Sequence, residues 1–175
     1  MLKPLEQWIC DRCGEVIKKP KEGWVEWTTD RDTHLASGFK IVHHSAYSPR
    51  GRGGCYHYTD HPGRSDDHLD HFIGQTPMVH LLSFLDIGEH HDPNYRGPQV
   101  SDMREFVEFA RRLTIPYYEE ARTYWSQAES DEFFADANEI WIYIPRTLKA
   151  IVQSYGKQSK PKPKSKASAK RKKRR

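Results

Sequence analysis

The chain has 175 residues, enough for one domain or two small ones, and 36% of its side chains are hydrophobic. No segment approaches the run of roughly 18 apolar residues that a membrane-spanning helix needs, and residues 1–8 lack the apolar stretch of a signal peptide. An odd cysteine count without an export signal argues against a disulfide framework, so we expect a cytoplasmic protein with no membrane contact.

The net charge of +4 is unevenly distributed along the chain. Residues 157–175 carry eleven Lys and Arg and no acid, which leaves a net charge of −7 on residues 1–156. This tail has two prolines and no large apolar side chain, so we predict that it is disordered. A basic run of this kind attracts phosphate backbones or acidic surfaces; the alternative is a solubilising extension, or one that lies loosely on its own acidic body. The residues predicted to bind nucleic acid are Lys170, Arg171, Lys172, Lys173, Arg174 and Arg175.

The first motif along the chain is the pair Cys10 and Cys13, which Gly14 follows directly. Two thiolates at this spacing on a tight turn form one half of a tetrahedral metal site. A redox CxxC motif instead begins a helix within a βαβ pattern, whereas this pair lies between the apolar dipeptides 8–9 and 16–17. The pattern therefore favours a zinc knuckle over a redox site.

Short β-strands are predicted for the rest of the first sixty residues. Residues 23–28 alternate large apolar and polar side chains, as a half-buried strand does, and residues 38–44 form a second strand. Residues 55–58 are the candidate for a third, short strand, after a glycine-rich loop at 48–54.

The pattern becomes helical from about residue 64. Ser65 is predicted to cap a first helix, with Asp66 and Asp67 in its first turn. Pro77 begins the next helix and Gly88 ends it. The residues expected on the buried faces of these two helices are Leu69, Phe72 and Ile73, and then Met78, Leu81, Leu82 and Leu85.

Three further helices are predicted. One starts at Ser101-Asp102, one at Pro116, and the last runs through Pro145 to Tyr155. Residues 139–145 are also compatible with a short strand, but the spacing of the apolar residues favours the helix. The stripe expected for the helix after Asp102 is Met103, Phe106, Val107, Ala110 and Leu113.

Two more ligands complete the predicted metal site. Cys55 follows two glycines, which let the backbone turn sharply near a metal. Phe39, Ile41 and His43 share one face of their strand, and because this face is the more apolar, His43 is expected to point inward as the fourth ligand. His44 and His57 are the alternatives.

Residues 8–14 and 54–57, which carry Cys10, Cys13 and Cys55, resemble a zinc ribbon or a related zinc-bound β-hairpin domain. The likeness covers about a third of the chain, and the second half of the site has no CxxC motif. It implies a structural zinc ion, with contact to nucleic acid or protein as common uses of such domains. Residues 64–156 resemble no family of known activity.

A second set of potential ligands lies in the Asp- and His-rich stretches 60–71 and 90–92. On a helix, Asp67 and His71, like His68 and His71, would stand one turn apart and could bind a second metal. A metal-dependent hydrolase or nuclease is the function this would support. The competing interpretation is a polar helix face and a polar loop, and no HExxH, GxSxG or glycine-rich phosphate loop favours catalysis.

Residues 106–126 also have the length of a helix-turn-helix. Glu119 and Glu120 would open its recognition helix, where carboxylates repel phosphates, so two core helices are the better interpretation. The aromatic residues Tyr117, Tyr118, Tyr124 and Trp125 then belong to a core or to a protein interface.

The predicted fold class is α+β: a zinc-bound β domain at residues 1–62, a subdomain of four or five helices at 63–156, and the disordered tail at 157–175. The predicted function is that of a non-enzymatic zinc-binding adaptor or regulatory protein. Its expected partners are nucleic acid or an acidic protein at the tail and a protein at the helical subdomain. The alternative function is the metal-dependent hydrolase or nuclease.

Overall fold

A computed structural model describes residues 1–51, 53–74, 76–90, 97–135 and 138–156. The fold is mixed α/β, with two small antiparallel sheets followed by helices, as the sequence predicted. The strands are β1 (Trp8–Ile9), β2 (Val16–Ile17), β3 (Gly23–Thr29), β4 (Ala36–His43) and β5 (Arg64–His68). The helices are α1 (Pro77–Ser83), α2 (Met103–Thr114), α3 (Tyr118–Ala121), α4 (Trp125–Ser130) and α5 (Pro145–Tyr155).

Strand β3 is the centre of the larger sheet, whose order is β4-β3-β5. It pairs antiparallel with both neighbours, so that Val25 faces Ile41 on one side and Asp67 on the other. The smaller sheet is a hairpin of β1 and β2, in which Trp8 pairs with Ile17. Trp8, Ile17, Val25 and Ile41 are fully buried, so the two sheets contribute to one core.

The first predicted helix is wrong, because residues 64–68 form strand β5. Leu69–Phe72 follows as a single 3-10 turn, with Leu69 and Phe72 buried. The charged sequence Arg64-Ser65-Asp66-Asp67-His68 suits an edge strand, where exposed charge prevents pairing with another chain. A polar edge strand has little apolar alternation, and its acidic residues imitate the first turn of a helix.

The third predicted strand, at residues 55–58, is also wrong. These residues lie in turns and irregular structure. The backbone N–H groups of His57 and Tyr58 donate to the carboxylate of Glu26 instead of to a neighbouring strand, at 2.6 and 3.5 Å.

Helix α1 begins at Pro77 as predicted but ends at Ser83 instead of at Gly88, and its buried stripe is narrower than predicted. Leu81 is buried, whereas Met78 is 53% and Leu82 is 50% exposed. The helix has only two turns, so it contacts the 3-10 turn at 69–72 and α2 through one side.

Helix α2 begins as predicted, with the Asp102 carboxylate accepting the N–H groups of Arg104 and Glu105 at 2.8 and 3.3 Å. Its buried face holds Phe106, Phe109, Arg112 and Leu113, while Met103 is exposed. Phe109 stacks on Phe39 of β4 with ring centroids 4.8 Å apart, which joins α2 to the sheet. Burying an aromatic side chain of this kind contributes about 1.5–3 kcal/mol.

The remaining helices form a second core. The helix predicted from Pro116 is divided into α3 and α4 by a 3-10 turn, and α5 begins at Pro145, with proline in its first turn. The fully buried side chains of this core include Tyr118, Ala121, Ala128, Leu148 and Ile151.

Within the ranges given above, we find no helix that is long and apolar enough to cross a bilayer.

Candidate metal centre

The β1–β2 hairpin carries Cys10 and Cys13 on its turn. The Cys10 N–H donates to Glu15 O, and the Gly14 N–H donates back to Cys10 O, both at 2.9 Å. Gly14 has a φ of +76°, a left-handed conformation that glycine adopts without strain. The turn is therefore tight enough to hold both thiols near one point.

The fourth residue of the group is His43, the last residue of β4. It is only 5% exposed, and its Nδ1 lies 3.5 Å from Cys13 Sγ and 3.9 Å from Cys55 Sγ. Strand alternation thus places His43 inside the fold, on the side that Phe39 and Ile41 share.

Cys55 comes from the long loop that follows β4, and its side chain is fully buried. Gly53 precedes it by two residues with a φ of +93°, which turns the chain back toward the hairpin. The Ser48 hydroxyl lies 3.1 Å from Cys55 Sγ. A hydroxyl at this distance can donate a hydrogen bond to the sulfur and hold it in place.

Together Cys10, Cys13, His43 and Cys55 form a group that could hold a metal ion. Their ligand atoms all lie within 4.8 Å of one another. Zinc with sulfur ligands at about 2.3 Å in a tetrahedron separates the sulfurs by about 3.8 Å, so small rotations of the side chains would close the site. The donor set, three sulfurs and one imidazole nitrogen, is one that zinc favours.

The Cys13 thiol has a raised pKa, which favours its protonated form. Burial is the main cause that raises the pKa of Cys13 to about 12, and the neighbouring thiols of Cys10 and Cys55 raise it further. A backbone N–H of Glu15 acts in the opposite direction. Metal binding requires thiolates and releases protons, so affinity for the ion should rise with pH.

The two alternative histidines lie elsewhere. His44 accepts the Ala46 N–H at 3.2 Å, at the start of a 3-10 turn, and its ring lies against Trp24. His57 lines a cleft of about 390 Å³ between the sheet and α2, and burial lowers its pKa.

Asp11, between the two cysteines of the turn, fastens the hairpin to β4. Its N–H donates to Ile41 O at 2.8 Å, and its carboxylate accepts the Ile41 N–H at 2.7 Å. Ile41 is two residues before His43, so this pair of bonds sets the distance between the cysteine turn and the histidine.

Arg112 of α2 is the structural residue that sequence reasoning missed. Its guanidinium is almost completely buried and donates to the carboxylates of Asp11 and Glu119, each at 2.8 Å. It also donates to the Ile9 carbonyl at 3.3 Å. Burial alone would lower the pKa of Arg112, but Glu119 and Asp11 together raise it well above its usual value. The guanidinium therefore remains charged and fully paired.

Glu119 extends this network into α3. One of its oxygens accepts the Ile9 N–H at 2.9 Å, and the other accepts from Arg122 at 3.1 Å. Glu119 and Glu120 are both buried, which places them in an internal contact and removes α3 as a recognition helix. No local pattern marks these roles, because Arg112 and its partners meet only in the folded chain.

Glu26, in the middle of β3, is a charged residue whose burial the sequence analysis did not predict, and its side chain is fully buried. Its carboxylate accepts the His57 and Tyr58 N–H groups and so holds the loop that carries Cys55 over the sheet. Tyr58 adds a bond from its hydroxyl to Gly38 O at 2.8 Å.

Replacing Glu26 by Gln should therefore loosen the Cys55 loop. We expect a loss of about 1.5–3 kcal/mol in the free energy of unfolding, because a charged acceptor is lost and an amide N–H₂ would face backbone N–H groups. Denaturant titration measures this change. The matched control is Glu129→Gln at an exposed position of α4, which should change the stability by less than about 0.5 kcal/mol. An equal effect of both variants would contradict the role of Glu26.

The predicted Asp and His cluster is only partly within the described residues. Asp67 and His71 lie side by side, with a carboxylate oxygen 2.7 Å from Nδ1, on a strand and a 3-10 turn instead of on one helix. His61 accepts the Gly63 N–H in a turn. His91 and Asp92 lie outside the described residues, as do Lys170, Arg171, Lys172, Lys173, Arg174 and Arg175.

No protein-family model, no curated protein and no solved structure matches this chain.

Proposed function

We propose that this chain is a non-enzymatic binding or adaptor protein whose N-terminal part is stabilised by a structural zinc ion of the zinc-ribbon type. The single observation that carries the proposal is the convergence of Cys10, Cys13, His43 and Cys55 within 4.8 Å. Four protein ligands satisfy tetrahedral zinc, which leaves no position for a bound water or substrate.

Burial supports a structural role for this ion. Cys10, His43 and Cys55 are almost completely buried, and they come from a hairpin, a strand end and a loop. An ion bound by all three would link segments far apart in sequence. Zinc used in this way contributes folding free energy and does no chemistry.

The binding function is assigned to the basic tail. Residues 1–156 carry a net charge of −7, so the eleven cations at 157–175 are the main positive charge available to a partner. Nucleic acid is the preferred partner, because a run of cations gains affinity by releasing counterions from phosphates. The helical part is proposed as a site for a protein partner.

Deleting residues 157–175 tests this assignment. The full chain should bind single- or double-stranded nucleic acid with an affinity that falls steeply as salt rises, by about 10³-fold or more between 50 and 200 mM if six or more phosphates are neutralised. The shortened chain should lose this binding. Fluorescence anisotropy with a labelled oligonucleotide measures both.

The matched control replaces the six C-terminal residues 170–175 by Gly and Ser, which keeps the length of the tail and removes only charge. Undiminished affinity of the shortened chain would refute the assignment to the tail. Undiminished affinity of the Gly/Ser variant, which keeps the five lysines at 157–166, would refute the assignment to residues 170–175. Binding to an acidic polypeptide in place of nucleic acid would favour the acidic-partner form of the proposal.

A further inference from the structure

Three structural elements converge at the free edge of β5, about a separate group of polar side chains. Asp67 comes from β5, His71 from the 3-10 turn Leu69–Phe72, and His80 from α1. None of these residues belongs to the Cys10, Cys13, His43 and Cys55 group. Asp67 pairs with Val25 in the β3–β5 register, so its position is fixed by the central sheet.

Each oxygen of the Asp67 carboxylate faces a different histidine. Oδ1 lies 2.7 Å from His71 Nδ1, and it also accepts the backbone N–H of His68 at 2.7 Å; Oδ2 lies 4.0 Å from His80 Nδ1. Ligands of one transition metal bound at about 2.1 Å have donor atoms about 3 Å apart. The Asp67–His71 pair already has this separation, and His80 has to approach by about 1 Å.

The two imidazole rings are also close to the spacing that a shared ion requires. The ring centroids of His71 and His80 are 5.7 Å apart. Two imidazoles on one ion, with bonds of about 2.1 Å, hold their centroids about 4.5–5.2 Å apart. The side chains are 51% and 36% exposed, so both rings can rotate without disturbing the core. His80 rests on Phe72 at a centroid distance of 5.4 Å, which limits its movement to that rotation.

We propose that Asp67, His71 and His80 form a second cation site, which binds a divalent transition metal through one carboxylate and two imidazoles. Oxygen and nitrogen donors without sulfur suit Zn²⁺, Fe²⁺, Co²⁺ or Ni²⁺ and distinguish this site from the thiol-rich one. His80 is the ligand that sequence reasoning missed, since it lies nine residues beyond His71 on another element.

Three protein ligands leave positions open on the ion. Asp67 and His80 both line a cavity of about 270 Å³, whose aromatic walls include Trp27, Phe72 and Phe84. This space is large enough for the one to three solvent ligands that such an ion retains. The site is therefore of the open type, in which a bound water or a small anionic ligand can reach the metal.

Metal stoichiometry of the full chain tests the proposal. The purified protein, first stripped of metal under reducing conditions, is dialysed against buffered Zn²⁺ and its bound metal is measured. We expect two ions per chain in the wild type and one in His80→Ala and in Asp67→Asn. In these two variants the affinity of the second site for Zn²⁺ should fall by at least 100-fold. Loss of a partner outside the ligand set costs about 10–100-fold, so a larger loss indicates a direct ligand. His61→Ala, outside the cluster, is the matched control and should retain two.

Replacement by Co²⁺ separates this proposal from the thiol-rich site. The sulfur-to-cobalt absorption should persist unchanged in His80→Ala and disappear in Cys10→Ser. Each single variant should keep one ion. Two results would overturn the second site. The first is one ion per wild-type chain together with that absorption, and the second is two ions retained in both His80→Ala and Asp67→Asn. One ion per chain without the absorption, lost in His80→Ala, would leave the second site standing and refute the first.

Discussion

Replacing Cys10 by Ser is expected to abolish high-affinity metal binding at the group formed by Cys10, Cys13, His43 and Cys55, and to destabilise the N-terminal hairpin. Strands β1 and β2 have two residues each, so they contribute few hydrogen bonds of their own. An ion present at 1,000 times its dissociation constant stabilises the folded state by about 4 kcal/mol, and this contribution would be lost. Denaturant titration of wild type and variant, each with and without a chelator, measures the effect.

The matched control for Cys10→Ser is Glu15→Ser in the same hairpin. Glu15 is exposed, and its hydrogen bonds to Cys10 and Cys13 use only its backbone. The control should keep its ion and its response to the chelator. If the chelator left the wild-type transition unchanged, the metal would have no structural role and the proposed function would fail at its first step.

Replacing Arg112 by Met is expected to cost about 3–5 kcal/mol of unfolding free energy, the amount typical for removing one partner from a buried ion pair. The side chain of Arg112 is only 6% exposed, and its loss would leave the carboxylates of Asp11 and Glu119 buried with less compensation. Arg122 contacts both carboxylates at 3.1–3.5 Å and would compensate only in part. Calorimetry or denaturant titration detects this change.

The same substitution should weaken metal binding by about 10–100-fold, the range seen when groups behind the ligands are lost. Asp11 lies between Cys10 and Cys13, and Arg112 holds its carboxylate. Arg104→Met, at an exposed position of the same helix, is the matched control and should change neither quantity. Metal affinity that was unaltered in Arg112→Met would show that the network stabilises the fold without positioning the ligands.

Much of the metal centre could be predicted from the sequence because its information is local. The spacing of Cys10 and Cys13, the glycines before Cys55 and the alternation that turns His43 inward each depend on a few adjacent residues. The structure brings these four residues together. Helices α1 and α2 were also found, because a proline and a capping residue mark their first turns. Helix α5 was predicted from the spacing of its apolar residues, but it begins at Pro145 instead of running through this proline.

The features that were missed depend on contacts between distant segments. Strand β5 has a helix-like N-terminal pattern, and only its pairing with β3 makes it a strand. Glu26 and Arg112 are charged residues in buried positions. Their burial is tolerated because groups from other parts of the chain compensate it: backbone N–H groups donate hydrogen bonds to Glu26, and carboxylates form ion pairs with Arg112. The partners of Glu26 are 31 and 32 residues away, and Asp11 is 101 residues from Arg112. Glu119 is only seven residues from Arg112, but the two meet because the chain turns between α2 and α3.

The position of Cys55 has a consequence for the unfolded chain. An ion that bound Cys10, Cys13 and Cys55 early would close a loop of residues 10–55, at an entropic cost of about 3 kcal/mol for a loop of this length. Strands β3 and β4 lie inside that loop, whereas β5 and the helices lie outside it. Because β3 and β4 are joined by only six residues, closing the loop mainly shortens the search by which the β1–β2 hairpin and the Cys55 segment meet, so the supply of metal would affect the speed of folding as well as its endpoint.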